Sequence, residues 1–103
     1  MSLRIVLSVR AERETLTTAR WYARRSPGLD DRFRQALKAC FNSIVGHPVA
    51  FPKVKGRIRQ ARLKVFPFTV VYKVIEDELF IISVFHIHRD PTTKLPSRKQ
   101  KRE

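Results

Sequence analysis

The sequence predicts an α+β domain of order β-α-α-β-β-β, with two N-terminal helices packed on one face of a largely antiparallel four-stranded sheet. Two observations predict it. Both stretches with helical spacing lie before residue 47, and the apolar runs of strand character fall mostly after them, a grouping that segregates helices to one side of a sheet. Hydrophobic residues make up 43% of 103 residues, enough for a core but only for one domain. Residues 1–90 are expected to form that domain and residues 91–103 a basic tail.

Each element has its own signal. Residues 3–9 alternate around Leu3, Ile5, Leu7 and Val9, the period-2 pattern of a first strand. From Ala11 to about Arg24 the composition becomes helical, with Glu12 and Glu14 near the start and Arg20, Arg24 and Arg25 near the end, as the helix dipole favours. Ser26-Pro27-Gly28 breaks it, and Ser26 reads as the N-cap and Pro27 as the first residue of a second helix. Phe33, Leu37, Cys40, Phe41, Ile44 and Val45 form one buried helical stripe, which Gly46 and Pro48 end. Phe51 to Gly56 reads as a loop. A strand from Arg57 to Val65 follows, with Arg59, Ala61, Leu63 and Val65 on one face and Ile58, Gln60, Arg62 and Lys64 on the other. Pro67 interrupts the pattern, since it cannot donate to a sheet ladder. Phe68–Val74 and Leu79–Ile87 complete the sheet around an acidic turn at Glu76-Asp77-Glu78.

Charge narrows the choice of partner. Lys and Arg total 22 against 9 acidic residues, a net charge of +13, which points to nucleic acid, an anionic membrane or an acidic protein. Six of the twelve residues from Lys53 to Lys64 are basic and none is acidic. Such a run reads either as a solvated strand face that discourages edge pairing or as an anion-binding groove. Its arginines favour the groove, because a planar guanidinium suits phosphate or carboxylate. Arg57, Arg59, Arg62 and Lys64 are therefore the candidate target- or anion-binding residues, and the positive charge is expected on the sheet face left open by the helices and around its rim. No stretch approaches the ~18 apolar residues of a spanning helix, so no membrane partner is expected. The single cysteine, Cys40, permits no internal disulfide and fits a reducing cytoplasm.

Most chemistries are excluded. Three glycines in the whole chain leave no Gly-rich phosphate loop. Cys40 lies on an apolar helix stripe and reads as core rather than nucleophile. Trp21, Tyr22 and Tyr72 read as core or core-edge aromatics. His86 and His88 stand two apart at a strand end, a spacing open to acid–base chemistry or, with Asp90, to a metal. A structural role for His86 is the simpler reading, and no metal or small-molecule cofactor is expected.

Several motifs in fixed order resemble a known family. They are Trp21-Tyr22-Ala23, Pro27-x-Leu29 leading to Arg32-Phe33 and Leu37, His47-Pro48, Arg62-Leu63-Lys64, Phe66-Pro67-Phe68-x-Val70-Val71-Tyr72-Lys73-Val74, and Val84-Phe85-His86-x-His88-Arg89-Asp90-Pro91. Together they look like the RelE/ParE superfamily of bacterial toxins from toxin–antitoxin, or plasmid stabilisation, modules. The resemblance implies a cytoplasmic toxin neutralised by a cognate antitoxin. In the ParE-like branch the target is DNA gyrase, poisoned by binding; in the RelE-like branch it is the translating ribosome, where mRNA is cleaved by 2′-hydroxyl attack on phosphate. Compared with the nuclease pattern, Arg62 supplies one expected cation. Thr69 and the neighbourhood of Ile87 stand where two arginines are expected, and no tyrosine follows Tyr72. RNA cleavage needs several preorganised cations around the phosphate, so the departures point to the ParE-like branch. The enzymatic alternative has His86 or His88 as general acid with Arg62 and Arg89 clamping phosphate. A further alternative is an inactive relative or a basic nucleic-acid-binding module.

Overall fold

The computed structural model describes residues 2–88; Arg89, Asp90 and the expected basic tail lie outside the described residues. The element order is β1 (Arg4–Leu7), α1 (Val9–Arg25), α2 (Leu29–Gly46), β2 (Lys53–Lys55), β3 (Ile58–Arg62), β4 (Phe68–Ile75) and β5 (Glu78–His86). The expected α+β fold is present, with one more strand than the sequence predicts. The sheet has five strands in the order β1-β5-β4-β3-β2. β1 runs parallel to β5, and the other pairs are antiparallel.

Ser8 joins strand to helix. Its Oγ accepts from the Ala11 N–H at 2.9 Å, the side-chain cap that starts α1, and donates to the Ile82 carbonyl at 2.8 Å. Its own N–H donates to the Ile81 carbonyl at 2.9 Å. This cap starts the helix at Val9, so Val9, expected on the strand, is an exposed residue of the first helical turn. Between the helices the Ser26–Pro27 expectation needs correction. The Leu29 N–H donates to the Ser26 carbonyl at 3.1 Å and Gly28 has φ 85°, ψ −8°. Pro at the second position and a left-handed Gly at the third define a type II turn, so α2 starts two residues later than predicted, behind Gly28. Its buried stripe is the predicted one: Phe33, Leu37, Cys40, Phe41 and Ile44 are buried, and Val45 packs beside them.

The segment expected as a loop contains β2. Lys53 pairs with Arg59 and Lys55 with Ile58, around a tight turn at Gly56, whose φ of 54° suits glycine. β3 is shorter than predicted because the chain turns sharply at Val65. The Phe66 N–H donates to the Lys64 carbonyl at 2.8 Å and Val65 has φ 73°, a left-handed γ-turn. Val65, expected as the last residue of the strand, is consequently 93% exposed.

β4, in the middle of the sheet, is buried on both sides from Phe68 to Tyr72. Towards the helices, Phe68, Val70 and Tyr72 join Ala61, Leu79, Ile81 and Val84 under Phe33, Leu37 and Ile44. On the far side Val71 and Phe85 form a second, smaller cluster with Val54, Ile58 and Ile82. The open face is therefore apolar at its centre, not basic as expected. Strands rich in Val, Ile and Phe place side chains on both sides of the pleat, and the far-side set covers itself.

Candidate binding surfaces

Residues directly opposite one another on paired strands share a sheet face, so the register decides which candidate residues meet. One row runs Lys53, Arg59, Tyr72. Tyr72 belongs to the helix-side core, so Arg59 lies on that face, half-buried, with Nη1 donating to the Phe51 carbonyl at 2.8 Å. The Tyr72 hydroxyl donates to the Pro48 carbonyl at 2.7 Å, and burial holds its pKa above the usual value. A second row runs Arg62, Thr69, Phe85. Phe85 belongs to the far-side cluster, so exposed Arg62 sits on the opposite face from Arg59. Arg57 lies in the β2–β3 turn and Lys64 beside the Val65 γ-turn, both exposed. The four candidates share a stretch of sequence but not one surface.

His86 is opposite Phe68 in the register, on the helix side, with its ring edge-on to Phe68 at 5.2 Å. Its Nδ1 accepts from the His88 N–H at 3.0 Å, and the two rings lie 5.4 Å apart. The first bond requires Nδ1 unprotonated, so neutral His86 carries its proton on Nε2. His86, one of the two candidate acids of the nuclease alternative, and Arg62, one of its clamps, thus occupy opposite faces of the sheet, while exposed His88 lies past the end of β5. Arg89, the other clamp, lies outside the described residues. No group of three or more His, Cys, Asp or Glu side chains is placed to hold a metal among the described residues. Burial pushes the Cys40 thiol up to about 11, which keeps it from acting as a nucleophile near neutral pH.

His86 lines a groove of about 650 Å³ between α1 and the β5 edge, together with Arg13, Trp21, Tyr22, Phe68 and Val84. The groove exists because β1 pairs only with Glu78–Ile81, so that among the described residues the later part of β5 has β4 on one side and no strand on the other. Glu14 fills part of that edge. Its carboxylate accepts from the Val84 N–H at 2.8 Å and from the Ser83 hydroxyl at 2.8 and 3.1 Å. Trp21 stands at the rim, 45% exposed, with the Arg25 guanidinium 4.3 Å above its ring. Trp21 and Tyr22, read together as core or core-edge aromatics, divide between the two: Tyr22 is core and Trp21 lies at the edge. Adjacent residues on a helix point about 100° apart, so only one of the two fits a buried stripe; that signal was available in the sequence.

Residues 5–91 match the family described as ParE toxin of type II toxin-antitoxin system, parDE. The chain belongs to the ParE toxin family. A solved structure described as the chromosomal ParDE TA system from P. aeruginosa resembles this ParE-family toxin with a TM-score of 0.73 at 13% identity, covering 84% of this chain and 98% of that one. At that identity the likeness is one of fold. No curated protein matches the chain in sequence. Among the described residues of this toxin no helix is long and apolar enough to cross a membrane.

Proposed function

We propose that this ParE-family toxin acts by binding an essential target, DNA gyrase, without chemistry of its own, and that a cognate antitoxin neutralises it in the cytoplasm. The observation that carries the non-catalytic reading is the separation of Arg62 from His86 by the sheet. A nuclease centre needs its proton donor and phosphate clamp within reach of one scissile phosphate. Thr69 stands beside Arg62 and Phe85 beyond it in the same row, where further cations would have to surround that phosphate.

The antitoxin reading is supported by the α1–β5 groove and by the charge. The groove has an apolar floor of Tyr22, Phe68 and Val84 and an exposed tryptophan at its rim. It suits an amphipathic segment, and a net charge of +13 favours an acidic one.

Two assays on induced cells and purified protein test the proposal. Gyrase supercoiling should be inhibited by the purified toxin, DNA-damage signalling should rise on induction, and bulk mRNA should stay intact. New 5′ ends appearing in mRNA soon after induction, with supercoiling unaffected, would replace this reading by ribosome-dependent RNA cleavage. Co-purification with the product of the neighbouring reading frame tests the antitoxin separately.

A further inference from the structure

The turn between β2 and β3 holds a second concavity that shares no residue with the α1–β5 groove. Its volume is about 270 Å³, and Lys53, Arg57 and Arg59 line it together with Tyr72, Pro48 and Gly56. The register explains the convergence of charge. Lys53 lies directly across from Arg59, which puts their Cβ atoms about 4.5–5.5 Å apart, and like charges so placed destabilise a sheet. The left-handed Gly56 turns the chain so that Arg57 joins them. No carboxylate lines the pocket, and among the described residues none of the three cations takes part in an ion pair.

The site is also held in place. The Arg59 guanidinium is tethered by its Nη1 to the Phe51 carbonyl at 2.8 Å, and its remaining N–H groups are left for another acceptor. Tyr72, the wall behind it, is fully buried and fixed through its hydroxyl to Pro48. A tethered arginine fork next to a lysine and a second arginine is the arrangement that recognises a tetrahedral oxyanion, since little side-chain freedom is lost on binding. Three positive charges match the charge of free phosphate, about −1.5 to −2 as for a monoester, better than that of a single carboxylate; a backbone phosphodiester carries one negative charge, so on a nucleic acid the three cations match neighbouring phosphates together.

We infer that Lys53, Arg57 and Arg59 form a binding site for a phosphate group, either free or carried on a nucleic acid backbone. The inference does not rest on the toxin's target, because the test reads binding by the isolated chain. The full-length protein, labelled with ¹⁵N, is titrated with inorganic phosphate at constant ionic strength, chloride balancing the salt. Saturable shifts are expected at the amides of Lys53, Gly56 and Arg57. The double substitution K53Q/R57Q changes two exposed side chains and should weaken binding about tenfold or more, as the loss of charged hydrogen bonds implies. R34Q/K38Q removes the same charge from exposed positions of α2 and should leave the affinity within twofold. Equal weakening by both variants, or shifts that never saturate, would reduce the effect to net charge and overturn the site. A parallel titration with a short oligothymidylate separates the two sources. Shifts at the same amides, competed by phosphate, identify a backbone phosphodiester as ligand; a response to phosphate alone identifies the free anion. Oligothymidylate shifts elsewhere on the chain, with no phosphate response at the turn, would also overturn the site.

Discussion

At the scale of single residues, Val65 holds a strained backbone conformation. A β-branched side chain at φ 73° strains the backbone by ~1–3 kcal/mol, and at 93% exposure it recovers almost no burial in return. Glycine, with no Cβ, takes a positive φ without that strain, against a loss of roughly 0.5–1 kcal/mol to the greater freedom of the unfolded chain. Val65→Gly is therefore expected to raise stability by about 1 kcal/mol, read as a higher urea midpoint with unchanged m-value. A midpoint that stays put or falls would mean that the Lys64–Phe66 turn relaxes without cost. Nothing in the pattern of residues warns of this turn, because alternation alone carried the strand through Val65. Alternation did place Ala61 and Leu63 on one face of the strand and Arg62 on the other. What it lacked was the register between strands, and only the register shows that Arg62 stands in one row with Thr69 and Phe85 while His86 stands beside Phe68. The residues of the candidate site were legible one at a time, but their grouping was not.

Among the elements, the long ones were legible and the short ones were not. The two helices, β4 and β5 carry enough periodic residues to identify themselves. β2 has three residues and no periodicity of its own, and it is a strand only because β3 offers a ladder to pair with. The start of α2 was misplaced for a related reason: Ser-Pro-Gly fits a capped helix start and a type II turn equally well, and the φ of Gly28 decides. The least legible feature is the closure of the β5 edge by Glu14, a residue 69 positions from Ser83 in sequence. A carboxylate accepting from a buried hydroxyl and from a strand N–H takes the place of the missing β1 partner. Glu14→Ala leaves both donors without that acceptor at a partly buried edge, and should cost ~1.5–3 kcal/mol for bonds to a charged group. Glu14→Gln, which keeps one carbonyl acceptor, should cost less. The measurement is chemical denaturation of both variants, with amide exchange at Val84 as the local reading; protection at Val84 that survives Glu14→Ala would show that the edge is closed by something else.

For the whole molecule, charge is the dominant property, and the fold does little to neutralise it. With +13 on 103 residues, the folded chain repels itself more than the expanded one does. The observed ion pairs, Arg4 with Glu78 and Arg10 with Glu14, offset only a small part of this, and the first is largely solvent-exposed. Exposed pairs contribute ~0–1 kcal/mol each, so the loss of their attraction in salt is small. Screening shortens the reach of the repulsion from ~30 Å at 0.01 M ionic strength to ~8 Å at 0.15 M, and distances across a domain of this size fall between those values. The melting temperature is therefore expected to rise with sodium chloride over that range. Through the phosphate site at the β2–β3 turn, phosphate should raise it further than chloride at equal ionic strength, because a ligand that binds only the folded state adds its own stabilisation. The two contributions separate in one experiment: K53Q/R57Q should keep the response to chloride and lose the excess response to phosphate. A melting temperature that falls as chloride is added would show that attractive pairs, not net repulsion, govern the stability of this chain.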